Sequence, residues 1–179
     1  MAEAQQEEQH GKPIRVMIAV DNSENAEHAF NYYAEHVHRP GNEVIVFYVS
    51  DQVKMPTYAL FSEGVGFSAD EMRDRVAELK QKNKKLEDKF NAKCNISKMK
   101  HKVLIVSEDT HGPGHAIVES AKKHTVDLIV IGSRGQGTLR RTILGSISTY
   151  VIHHSHIPSL VCPGEKHHHH HHEKHHHHH

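Results

Sequence analysis

Five apolar runs rich in β-branched residues alternate along this chain with stretches of helical periodicity. The runs are Ile14 to Val20, Glu43 to Val49, Val103 to Val106 with part of a lysine-rich lead-in, Asp127 to Ile131, and Ser159 to Cys162. Strands covered on both faces read as continuous apolar runs, and a helix between successive strands is the usual connection in a parallel sheet. The chain is therefore expected to form an α/β fold whose parallel sheet is covered by helices. No internal repeat is visible.

The intervening segments support this. Ala26, Phe30, Tyr33, Ala34 and Val37 recur at three- and four-residue spacing, and Pro40-Gly41 ends that helix. A long middle helix starts at a capping box, Ser68 with Glu71, and carries Met72, Val76, Leu79, Leu86 and Phe90 along one face. Its lysines, Lys80, Lys82, Lys84, Lys85 and Lys89, alternate with Glu78, Glu87 and Asp88, which reads as a solvated helix face rather than a nucleic-acid patch. Asp51 to Phe67, with two glycines and a proline, reads as an irregular crossover, and a mobile lid is one role for it.

Where the fourth run ends, the sequence reads Gly132-Ser133-Arg134-Gly135, then nine residues, then Gly145-Ser146. Small residues at the end of a parallel strand let backbone amides approach a ligand, and the helix opening at Gly145-Ser146 adds partial positive charge. Ile147, Val151 and Ile152 give that helix its apolar stripe, so the first-turn N–H groups need an acceptor. An anionic ligand, a nucleotide in particular, is predicted. Neither Gly-x-x-x-x-Gly-Lys-Ser/Thr nor a Gly-x-Gly-x-x-Gly after the first strand occurs, which removes the P-loop and the common dinucleotide fingerprint. The first run stops instead at Asp21-Asn22-Ser23-Glu24, placing a carboxylate at a strand tip and a capping side chain at a helix start. In open α/β sheets ligands bind at such tips.

Ala19-Val20-Asp21-Asn22-Ser23-Glu24-Asn25-Ala26, together with Gly132-Ser133-Arg134-Gly135 and Leu144-Gly145-Ser146-Ile147-Ser148, closely resembles the universal stress protein domain over Lys12 to Pro163. The spacing G-x2-G-x9-G-S/T is that of the family's ATP-binding branch. The resemblance implies a sheet of order 3-2-1-4-5, Rossmann-like, with ATP (or AMP or ADP) as ligand. Gly132 and Gly135 would lie beside ribose and α-phosphate, and Gly145, Ser146, Ile147 and Ser148 would offer amides and hydroxyls to the phosphates. Asp21 would contact the nucleotide through ribose or through a metal such as Mg²⁺, Val49 would frame the adenine, and Ala19, Ile131 and Arg134 complete the expected site. Arg140 and Arg141 are further candidates for a phosphate contact. The resemblance also implies a homodimer, here through the Ser159 to Cys162 edge, and a role in stress responses.

Lysine plus arginine equals aspartate plus glutamate at 22 each, so the charge balance calls for neither nucleic acid nor an anionic membrane. The run His167 to His179 reads as an engineered purification tag, and Met1 to Gly11 as a disordered tail, leaving one domain over residues 12–164. With no apolar leader and no membrane-length segment, a cytoplasmic protein is expected. Cys94 and Cys162 lack ligand spacing and read as reduced, buried thiols. His153, His154 and His156 read as helical without a shared metal-binding face. No nucleophile, base and orienter assemble from the sequence, so a binding module with little fast hydrolysis is expected. An ATP-hydrolysing or adenylyl-transferring enzyme and a nucleotide-free dimeric scaffold are the competing readings.

Overall fold

The computed structural model describes residues 12–53, 68–135 and 144–164. The expected N-terminal tail, most of the crossover and its lid, Arg140, Arg141 and the histidine run all lie outside them.

Five strands, β1 (Arg15–Val20), β2 (Glu43–Ser50), β3 (Lys100–Ser107), β4 (Leu128–Gly132) and β5 (Ser159–Cys162), form one sheet in the order β3-β2-β1-β4-β5. Every pairing is parallel. Four helices, α1 (Glu24–Tyr32), α2 (Ala69–Ile96), α3 (Pro113–Lys123) and α4 (Ser146–His154), cover it. Alternation along β1 sends Val16, Ile18 and Val20 toward α1 and α2, where they meet Phe30, Leu86 and Phe90. Met17 and Ala19 point the other way, into a second cluster with Ile117, Val118 and Ala121 of α3 and Val151 of α4. Each Val, Ile, Leu, Met or Phe among them, fully buried, contributes about 1.5 to 3 kcal/mol of transfer free energy. The two clusters are why the central runs had to be apolar without interruption.

Local signals account for the helix boundaries. Ser23 caps α1 by accepting from the Ala26 amide, and Ser68 and Glu71 form the reciprocal capping box at the start of α2. The first helical stretch does not continue as regular α-helix. Its last turn, Tyr33–Val37, is π-helical, closed by the His38 amide donating to the Tyr33 carbonyl. The wider turn leaves Tyr33 wholly buried, its hydroxyl accepting from Asn42 and meeting His38 Nδ1 at 3.1 Å. Gly41 follows at φ 92°, a conformation that favours glycine.

The apolar stripe of α2 keeps to one face, buried at its C-terminal half through Leu86, Phe90 and Cys94 and half-buried at Met72, Val76 and Leu79. One expectation needs correction. His156 is not helical: α4 ends at His154, and His156 lies beyond it at φ 53°. Both cysteines are free and buried, and burial pushes the Cys94 thiol up to about 12, so it stays protonated and unreactive. No helix among the described residues is long and apolar enough to cross a membrane.

Candidate functional site

The sheet order reverses direction between β1 and β4, and the crevice beyond their C-terminal ends holds a cavity of about 230 Å³. All eleven sequence-predicted positions line it. β1 supplies Ala19 and, just past its tip, Asp21; β2 supplies Val49; β4 supplies Ile131 and Gly132, with Arg134 and Gly135 in the loop beyond; the start of α4 supplies Gly145, Ser146, Ile147 and Ser148.

The loop ends are drawn together by one carbonyl. Ser133 O accepts from the Gly145 amide at 2.7 Å and from the Ser148 hydroxyl at 3.0 Å, while the Ser133 amide donates to Cys162 O of β5 at 2.7 Å. Ser148 also donates to Gly145 O. Its hydroxyl proton is thus spent on backbone carbonyls, and what Ser148 offers the cavity is its amide. Glycine at the N-cap carries no side chain, so no cap bond serves the first turn of α4. The N–H groups of Ser146, Ile147 and Ser148 precede the first intrahelical bond, from Thr149 to Gly145 O, and open a site of positive potential.

The three glycines are small for different reasons. At Gly132 a Cβ would stand 2.9 Å from the backbone carbonyl oxygen of Asn25, so it is the packing of α1 against β4 that excludes a side chain there. At Gly135 the obstacle is the Asp21 carboxylate. At Gly145 an added Cβ would make only ordinary contacts of 3.5 Å with Ser133 and Arg134, and its φ of −79° suits any residue.

Asp21 is held from its own side. Oδ1 accepts from the Ser23 amide at 2.9 Å and from the Ser23 hydroxyl, the same hydroxyl that caps α1. In the loop after β4, Arg134 Nε is buried and has no acceptor among the described residues. A buried guanidinium donor left unpaired costs free energy that an anionic ligand would offset.

Sequence reasoning missed a second polar edge. Lys82 of α2, assigned to a solvated face, reaches the cavity, where its ammonium lies 2.7 Å from Asp51 and also meets the Tyr48 hydroxyl. The Asp51 hydrogen bond holds the Lys82 ammonium above its ordinary pKa, and burial pushes the Tyr48 hydroxyl up. The spacing of Lys82 from Leu86, one turn away, was the available signal. Phe47 and Ile117 supply apolar wall. An apolar slot ending in exposed amides, a guanidinium donor unpaired among the described residues, the Asp21 carboxylate and the Lys82–Asp51 ion pair suits a flat heterocycle joined to an anion.

Residues 14–163 match the universal stress protein family. Among curated relatives, MJ0577 of Methanocaldococcus jannaschii, a universal stress protein, is 31% identical over 153 residues, covering 82% of this chain and 93% of its own. MJ0531 of the same organism, also a universal stress protein, is 33% identical over 154 residues, covering 82% and 80%. Among solved structures, the universal stress protein UspA from Lactobacillus plantarum superposes with a TM-score of 0.66 at 24% identity, covering 85% of this chain and 99% of that one. A family member from Arabidopsis thaliana with AMP bound gives 0.61 at 21% identity, covering 86% and 93%. The family match over residues 14–163 and the identity to curated relatives agree with the fold: the chain belongs to the universal stress protein family.

Proposed function

We propose that the cavity binds an adenine nucleotide, ATP above all, and that the protein is a nucleotide-binding regulatory module with little or no fast hydrolysis. The observation that carries this is the Arg134 Nε donor, buried without an acceptor among the described residues, in a residue that lines a cavity bounded by the uncapped start of α4. The bound AMP of the Arabidopsis family member supports the ligand class. Apolar Ala19, Val49 and Ile131 would hold the base, and Gly145 with the amides of Ser146, Ile147 and Ser148 the phosphates. Asp21 has the chemistry either to accept from a ribose hydroxyl or to supply a carboxylate oxygen to a phosphate-bound Mg²⁺. Gly132 and Gly135 shape this corner through Asn25 and Asp21.

Mass spectrometry of small molecules released from the denatured purified protein, followed by calorimetry with AMP, ADP and ATP, tests the reading. Recovery of an adenine nucleotide, or micromolar binding, is expected. A protein that releases none and shows no heat at millimolar nucleotide is not a nucleotide module. Absence of product over hours separates binding from hydrolysis.

The four-residue β5 is a sheet edge with Leu160 and Val161 half-buried, bracketed by Pro158 and Pro163. An apolar edge is an aggregation hazard unless paired or covered, and we assign it to a two-fold homodimer contact. Light scattering is expected to give a dimer that Val161→Asp dissociates; a monomer at tens of micromolar sinks the assignment.

A further inference from the structure

The β3–α3 loop carries a cluster that the nucleotide reading leaves unused. Asp109, His111 and His115 each offer one ligand atom, and these atoms lie within 4.8 Å of one another. The carboxylate divides its work: Oδ1 accepts from the His111 amide at 2.8 Å, which fixes the group, and Oδ2 faces both imidazoles. His115 Nδ1 is 3.3 Å from Oδ2 and His111 Nδ1 is 3.9 Å away. The two rings are 4.6 Å apart at 35°. Gly112, at φ 86°, turns the chain so that His111 comes back over the first turn of α3, where His115 sits.

We propose that Asp109, His111 and His115 bind a divalent transition-metal ion of borderline softness, Zn²⁺ or a neighbour. Two imidazoles and one carboxylate suit such ions, whereas Mg²⁺ and Ca²⁺ demand sets made of oxygen. With metal–ligand bonds of about 2.0 to 2.2 Å, tetrahedral ligand atoms stand roughly 3.3 to 3.6 Å apart, so the present spacing needs only small side-chain rotations. Thr110 Oγ1, 3.4 Å from His111 Nδ1, is a weak competitor for that nitrogen. A loop-capping role for Asp109 requires Oδ1 and the His111 amide alone; it leaves unexplained why two imidazole nitrogens converge on Oδ2. His111 and Asp109 are exposed and His115 is half-buried, so an ion has free entry, and three protein ligands leave a fourth position for water.

The test is calorimetric titration with Zn²⁺ in nucleotide-free buffer, on protein from which the histidines of 167–179 have been removed, because that run would itself take up the ion. One ion per chain with micromolar affinity is expected. His111→Ala and His115→Ala should each weaken it by at least about tenfold, and Co²⁺ in place of Zn²⁺ should show visible absorption that both substitutions abolish. His153→Ala, on α4, should leave the affinity unchanged. Circular dichroism establishes that each variant is folded. No stoichiometric uptake, an affinity indifferent to His111→Ala and His115→Ala, or a loss on His153→Ala instead would overturn the site.

Discussion

A Cβ placed on Gly135 would stand 2.7 Å from Asp21 Oδ2, so the glycine loop after β4 and the carboxylate after β1 occupy complementary space. Gly135→Ala must push Asp21 aside, and Asp21 is tethered through Oδ1 to Ser23. Nucleotide affinity is expected to fall about tenfold in Gly135→Ala and in Asp21→Ala, with the double variant no worse than either, since both remove one arrangement. Additive losses in calorimetry would mean that the two act separately.

Gly132→Ala and Gly145→Ala should differ in kind. The first meets a backbone carbonyl and should lower unfolding stability by about 1 to 3 kcal/mol. The second should change stability by no more than about 1 kcal/mol, a cap effect, yet impair nucleotide binding because the new methyl faces the ligand. Urea denaturation beside calorimetry checks both; a Gly145→Ala variant with unaltered affinity places the phosphates elsewhere.

Arg134→Gln removes the charge and the donor that has no acceptor among the described residues. A hydrogen bond to a charged group contributes about 1.5 to 3 kcal/mol, so affinity should drop roughly ten- to hundredfold, while stability in the absence of nucleotide holds or rises. A loss of stability with no change in affinity would make Arg134 structural.

Glu27 joins α1 to α2 through Lys89 at 2.5 Å and Lys93 at 2.8 Å, and hydrogen bonds from those ammonium groups hold its carboxyl below the usual value of 4.5. A carboxylate with a depressed folded-state pKa stabilises fully above its unfolded value and loses that contribution as pH falls through the folded value. Glu27→Gln should therefore lower the melting temperature at pH 7 and make little difference at pH 3. An equal decrement at both pH values would show that the ion pair contributes nothing.

Strand number and the position of the cavity were legible because they rest on features a single sequence carries, buried runs, helix caps and glycine spacing, whereas the strand order came from the resemblance to the family. The reasons behind individual residues were not legible. Gly132 and Gly135 look alike in sequence, but one answers to the Asn25 carbonyl and the other to Asp21, and both obstacles come from β1 and α1, far away along the chain. Lys82 was hidden among other lysines because only the crossing of α2 over β2 decides which of them reaches the sheet. The π-helical turn at Tyr33 goes with the contacts of its hydroxyl to His38 and Asn42, and neither has a local sequence signature.

β1 pairs with β4 across more than a hundred intervening residues, Ala19 meeting Ile131. Contacts of such sequence separation form late, after their loop-closure entropy has been met. During synthesis β1, β2 and β3 can emerge and associate while one wall of the cavity is still inside the ribosome. The cavity closes only when the chain has been extended through Ser148. Any ligand held there stabilises chains that extend through Ser148 and none that stop short of it, so occupancy follows the assembly of β1 to β4 and cannot guide it.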